Sequence, residues 1–364
     1  MSFLKCNPCV FVIEKDYEIL LFSKSNGPLS IQVGNNVYYE ENCGVVSSEK
    51  NYAKIRIPQA ELNAEKKYSV VFRKTIDRKA YFSEFAEEQR VEFAFTPLTK
   101  TTDINIYMLA DVHSSFKFAK ESATYFGDAL DLLILSGDIA EVEEEENFFE
   151  VANLISEITH GSLPVIFVRG NHDTRGKLAE RFTDFFPSNH KNTYYTFEVG
   201  ALCGVALDCG EDKYDDHEEY GGANIFEPFR RRETLFLKAA TLPKNKLPFA
   251  ICHINPAQNT LNKGDLFDIE NDVYTEWNKE LSRLGIKFML CGHIHKTYIL
   301  EKNSPDSLRE HDYPVIIGSA FLREKGIWGT ALTINEKTLT VRFTDSSRNV
   351  IQTHEIDLES GKLL

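Results

Sequence analysis

The chain of 364 residues has no long apolar run. Stretches such as Leu132–Leu135 and Val165–Val168 fall far short of the roughly 20 residues that cross a bilayer as a helix. It has no excess of basic charge. Lys and Arg number 41 against 55 Asp and Glu, which gives −14 with His neutral. Duplex nucleic acid is therefore a poor partner, because its phosphates need a basic face. An anionic membrane surface is a poor partner for the same reason. The cysteine count of seven is odd, which suits free thiols better than a disulfide framework. Cys6-Asn-Pro-Cys9 is an isolated C-x-x-C with no second pair. Met1–Val12 holds one Lys, an Asn-Pro step and no apolar core, so no signal peptide is expected and the cytoplasm is the expected location. No repeat recurs at a fixed period.

Histidine is missing from the first 112 residues, and all ten lie between His113 and His354. The early part reads instead as short strands. Ala53-Ile55-Ile57, Tyr68-Val70-Val71-Phe72 and Val91-Phe93-Phe95 follow period-two alternation, punctuated by Asn26-Gly27-Pro28 and Gly34-Asn35-Asn36. This predicts a small all-β sandwich over 1–98. Residues 99–103 read as a linker, with a second domain over 103–364.

From residue 103 the rhythm is α/β. Ile104–Ala110, Asp131–Ser136 and Leu163–Val168 read as buried strands, with helices predicted over Phe116–Phe126 and Glu143–Ile158. Further strands are expected at Tyr194–Val199, Cys203–Leu207, Phe249–Cys252, Lys287–Leu290, Val315–Ile317, Thr330–Ile334 and Thr338–Phe343. Helices are expected at Phe229–Ala240 and Tyr274–Leu284. The order fits a mixed sheet or two stacked sheets with helices outside. Two acidic clusters, Glu141–Glu150 and Glu211–Tyr220, read as solvated faces.

Five buried strands run into metal-capable residues. They are Asp111-Val112-His113, Gly137-Asp138, Gly170-Asn171-His172-Asp173, His253, and Gly292-His293-Ile294-His295. Ligand sites in open α/β sheets form at the carboxyl ends of strands. The donors mix carboxylate and imidazole, which suits Mn, Fe, Zn, Ni or Co better than Ca. They are too many for one tetrahedral ion and enough for two ions sharing a carboxylate, an arrangement that clamps both oxygens of a phosphoryl transfer.

The set D-x-H, G-D, G-N-H-D, H and G-H-x-H resembles that of the calcineurin-like metallophosphoesterases over about residues 103–344. The resemblance implies a four-layer α/β/β/α sandwich with two divalent transition-metal ions. Asp111, His113 and His295 would hold the first, and Asn171, His253 and His293 the second, with Asp138 bridging. It implies an enzyme that hydrolyses a small phosphomonoester or phosphodiester by attack of a metal-bridged hydroxide. His172 would face the scissile phosphate and protonate the leaving oxygen. Asp173 and Glu141 are the candidate acidic partners of His172, since an Asp at the Glu141 spacing does this in the serine/threonine phosphatase branch. Arg175 is a candidate phosphate contact together with Asn171 and His172, and Arg169 is expected to face away.

Purple acid phosphatases carry Gly-Asp-x-x-Tyr and D-x-G. Here Glu141 and His113 take those places, so no tyrosinate–iron centre is expected. The group that includes cyclic-nucleotide phosphodiesterases and diverse phosphomonoesterases is the better match. The N-terminal strands resemble a fibronectin-III-like domain. The competing readings are a silent scaffold that binds a protein partner and a nuclease-type member.

Overall fold

A computed structural model describes residues 2–322 and 326–364. Its largest unit is a ten-stranded sheet. The strands run, from one edge, Val350–Asp357, Thr338–Thr344, Ile327–Ile334, Ile104–Leu109, Leu132–Ser136, Pro164–Val168, Cys9–Ile13, Asp16–Phe22 and Tyr52–Pro58. The short strand Ala320–Phe321 also pairs with Ile327–Ile334. A six-stranded sheet faces it, in the order Tyr195–Val199, Leu202–Leu207, Leu247–Cys252, Met289–Cys291, Val315–Gly318 and Thr297–Leu300.

Side-chain alternation assigns each strand face to a layer. Ile104, Ile106 and Met108 enter the core between the sheets, with Leu132, Ile134, Ile251 and Leu290. Tyr107, Leu109, Leu133 and Leu135 point the other way, under the helices Phe116–Ala123 and Glu145–Thr159. Behind the second sheet, Ala250, Cys252, Met289 and Cys291 pack against the helices Phe226–Ala239 and Asn271–Arg283 through Leu237, Trp277 and Leu281. The layers are α/β/β/α. These strands read as continuous apolar runs because both of their faces are covered.

The N-terminal strands form a small sandwich. Its outer sheet is Gln89–Ala94, Lys67–Phe72, Leu29–Val33 and Asn36–Tyr39. Ile31, Val70 and Phe72 from this sheet share one core with Tyr17, Ile19 and Leu21. The inner sheet does not end at the expected linker. Cys9–Ile13 pairs in parallel with Pro164–Val168, Val10 opposite Pro164, so the first 98 residues share a sheet and a core with the rest. The pairing covers the backbone edge that Pro164–Val168 would otherwise expose.

Element boundaries shift by a few residues from those expected. The helix starting at Phe116 ends at Ala123 and continues as a 3-10 turn over Thr124–Ala129. The helix Gln59–Glu65 and the strands Thr297–Leu300 and Val350–Asp357 were not foreseen. Among the described residues, no helix is long and apolar enough to cross a membrane.

Candidate metal centre

The loops after Ile104–Leu109 and Leu132–Ser136 are stitched together by their backbones. Asp111 N–H donates to Gly137 O (3.1 Å), His113 N–H to Asp138 O (3.1 Å) and Ser114 N–H to Ile139 O (3.0 Å). In the facing sheet, Gly292 N–H donates to His253 O (3.0 Å). One bond then crosses between the sheets' loops and another joins two loops of the larger sheet. His293 N–H reaches the Asp111 carboxylate at 3.0 Å, and His172 N–H reaches Asp138 Oδ1 at 2.8 Å.

Asp111, His113, Ser114, Asp138, His293 and His295 all have positive φ, between 44° and 71°. For residues other than Gly this costs about 1–3 kcal/mol each and persists only where the surroundings over-determine it. Five of these six side chains are candidate ligands, so the strain is concentrated where side chains must be aimed.

The donor atoms form three overlapping groups, each within 4.8 Å: Asp111, His113 and His295; His113, Asp138 and His172; Asp111, Asp138 and His253. His295 Nε2 lies 3.2 Å from Asp111 Oδ1, and His113 Nε2 lies 3.1 Å from His295 Nε2. His293 Nδ1 is 3.1 Å from Asn171 Oδ1. His253 Nδ1 sits 2.6 Å from the Ser136 carbonyl, which assigns its proton to that nitrogen. Its Nε2 is buried, has no hydrogen-bond partner, and stands 3.1 Å from Asp138 Oδ2 and 3.8 Å from Asp111 Oδ1.

The electrostatics call for cations. Burial opposes a charge on His253, yet Asp138 and then Asp111 outweigh it and push the imidazole up to about 10. Burial likewise opposes the charge on Asp138, yet His253 holds this carboxyl below the usual range. His293 is pushed down to about 4 by burial and by His253, which leaves it neutral, as a ligand must be. Two buried carboxylates facing an orphaned imidazole nitrogen fit a divalent ion of the mixed N/O class. The thiols of Cys252 and Cys291, one and two residues from ligands, face the opposite layer.

Asp173 does not reach toward His172. Its Oδ2 accepts Asp138 N–H (2.9 Å) and Gly170 N–H (2.8 Å), and these two amides take the place of water around the buried carboxylate. Burial and the nearby Asp138 charge push it up to about 7. Glu141 is exposed and has no hydrogen bond or ion pair among the described residues. Arg175 is held by the buried Glu211, with Nε–Oε1 and Nη2–Oε2 both 2.7 Å. A buried carboxylate needs such a partner. Glu211 thus leaves the expected solvated cluster and becomes a wall residue. Arg169 pairs with buried Asp208 at 2.7 Å and lies over Phe182, Phe226 and Phe229. His172 stands edge-on to His113, ring centres 4.8 Å apart. Phe321, missed in the sequence, lies 5.1 Å from His113 and 6.0 Å from His295, centre to centre. A lone Phe in a short edge strand gives no signal of this.

The calcineurin-like phosphoesterase family model matches residues 104–297, more than half of the chain, and the chain belongs to that family. It is a metal-dependent phosphoric ester hydrolase. The fold is similar to that of purple acid phosphatase PPD1 from yellow lupin (Lupinus luteus) seeds. The identity is 12%, with 96% of this chain and 74% of that chain covered at a TM-score of 0.61. It is also similar to PhoD, at 9% identity, with 98% and 91% covered and a TM-score of 0.57. No curated protein matches the chain in sequence.

Proposed function

We propose that the enzyme hydrolyses a small phosphomonoester or phosphodiester with two divalent transition-metal ions. The observation that carries this is the pair of donor sets that meet at Asp138, whose Oδ2 lies 3.1 Å from His253 Nε2 and 4.0 Å from His113 Nε2. Asp111, His113 and His295 would hold one ion. Asn171, His253 and His293 would hold the other, with Asp138 between them. Ions bound there lower the pKa of water and offset phosphoryl charge.

The chain's own residues do the rest. The His172 backbone is tied to Asp138, so its ring is fixed beside the first donor set. From there an imidazolium N–H can hand its proton to a leaving oxygen. Asp173 positions the Gly137-Asp138 and Gly170-Asn171 turns relative to each other. The net charge of −14 favours a small substrate over a nucleic acid.

The test is a metal count by elemental analysis together with turnover of p-nitrophenyl phosphate and bis-p-nitrophenyl phosphate in Mn²⁺. About two metals per chain and turnover are expected. Asp138→Asn and His253→Ala should each lower kcat at least about a hundredfold, a loss typical of disturbed metal sites. Near-normal turnover in either variant would sink the proposal.

A further inference from the structure

A cavity of about 420 Å³ opens beside the metal centre, lined among others by Thr174, Arg175, Glu211, Glu219, Tyr220 and Asn224. Its size is that of a pocket for a small organic group. Its wall is tied to the site. Thr174 lies two residues past His172, and its Oγ1 is 2.8 Å from the carbonyl of Asn171 and 3.0 Å from Glu211 Oε1. An ester whose phosphoryl group sits at His172 and Asn171 therefore has this cavity next to it.

The charge of the lining is lopsided and already committed. Arg175 is the only cation among these lining residues, and the Nε–Nη2 edge of its guanidinium is taken by the fully buried Glu211. Tyr220 also donates to Glu211 at 3.1 Å. To meet an incoming anion through that edge, Arg175 would have to abandon a buried carboxylate, and its charge is already offset by Glu211. Glu219 on the rim, with its side chain 55% exposed, adds a second negative charge. Behind it Lys213 is shared between Glu219 (2.7 Å) and Asp212 (3.0 Å), so it too is neutralised. The count is two carboxylates against one guanidinium at the wall, and the next layer, Asp212 and Lys213, adds nothing net.

We infer that this cavity is the subsite for the alcohol portion of the substrate, and that it takes an alcohol that is neutral or bears an ammonium group and discriminates against one bearing a second phosphate or a carboxylate. The inference rests on the phosphoesterase reading above and adds the chemical class of the ester. Hydroxyl and amide groups of a neutral alcohol find Asn224 and Tyr220 there, and an ammonium meets the net negative charge of the wall, sharing Glu219 at the rim with Lys213.

The experiment uses the full chain loaded with Mn²⁺ and p-nitrophenyl phosphate as reporter. Inhibition constants are measured for the monophosphates of 3-aminopropanol, 1,3-propanediol and 3-hydroxypropionate, which share a chain length and differ in terminal charge. The amine should bind tightest and the carboxylate weakest, with about tenfold between those two, which differ by two unit charges in a solvent-screened site. In Glu219→Lys the spread should collapse to within about threefold or invert. Three equal constants, or the same spread in Glu219→Lys, would overturn the subsite while leaving the phosphoesterase intact. Absence of any p-nitrophenyl phosphate turnover would instead remove the reading on which the subsite rests.

Discussion

Gly137 and Gly170 face each other across the floor of the site. A Cβ on Gly137 would come 2.6 Å from Gly170 Cα and 2.7 Å from His253 Cγ, and Gly137 also has φ of 81°. A Cβ on Gly170 would collide with Asp138. Gly137→Ala should cost about 1–3 kcal/mol from crowding, with strain added. Because the clash falls on His253 and Gly170, metal binding should be lost before the fold. The check is isothermal titration with Zn²⁺ beside thermal unfolding: binding weakened tenfold or more, with a much smaller change in Tm. Equal losses in both would mean that the glycine serves only the fold. At this scale much was legible in the sequence. The five polar clusters stand out because each ends an apolar run. The partners of Asp173 and Arg175 were not legible. One carboxylate bonds to amides of two separate turns, and Glu211 reaches Arg175 from a different loop. Neither contact leaves a local mark.

The helix Phe226–Ala239 carries a buried acid that the site does not use. Glu233 accepts Asp208 N–H at 2.9 Å through Oε1, while its Oε2 has no partner. Burial, and then the Asp208 charge, raise it well above its ordinary value of 4.5. A carboxyl raised in the folded state holds its proton more tightly there than in the unfolded chain. Its penalty is absent below about pH 4.5 and grows as pH rises toward the native value. Glu233→Gln keeps the oxygen that faces Asp208 and removes the ionisation. Its Tm should exceed that of the native chain at about pH 8 and approach it at about pH 4. A constant difference across that range would rule out ionisation as the cause. The sequence indicated this helix, starting it three residues late, through apolar spacing. It could not show the burial of Glu233, because a Glu on a helix is ordinarily solvated.

At the scale of the whole molecule, the ten-stranded sheet joins both halves of the chain. The sequence showed a β-rich beginning and an α/β remainder, because periodicity is local. It could not show that Cys9–Ile13 joins Pro164–Val168, because both segments read simply as apolar runs and either could pair elsewhere. Removal of residues 1–98 should therefore not release a folded enzyme. It strips the partner from Pro164–Val168, the strand that leads into Asn171 and His172, and uncovers Val168 and Phe197 of the shared cores. The truncated chain should be insoluble, or lack a cooperative thermal transition by circular dichroism. A soluble, cooperatively folding fragment with phosphatase turnover would show that the shared sheet is dispensable.

The same pairing sets an order of events at the ribosome. Val10 is made early, but its neighbour Pro164 is translated roughly ten to thirty seconds later at ~5–20 residues per second. Ile104–Leu109 waits longer still for Ile327–Ile334, its antiparallel neighbour. The nascent chain must therefore hold apolar, half-paired strands through most of its synthesis.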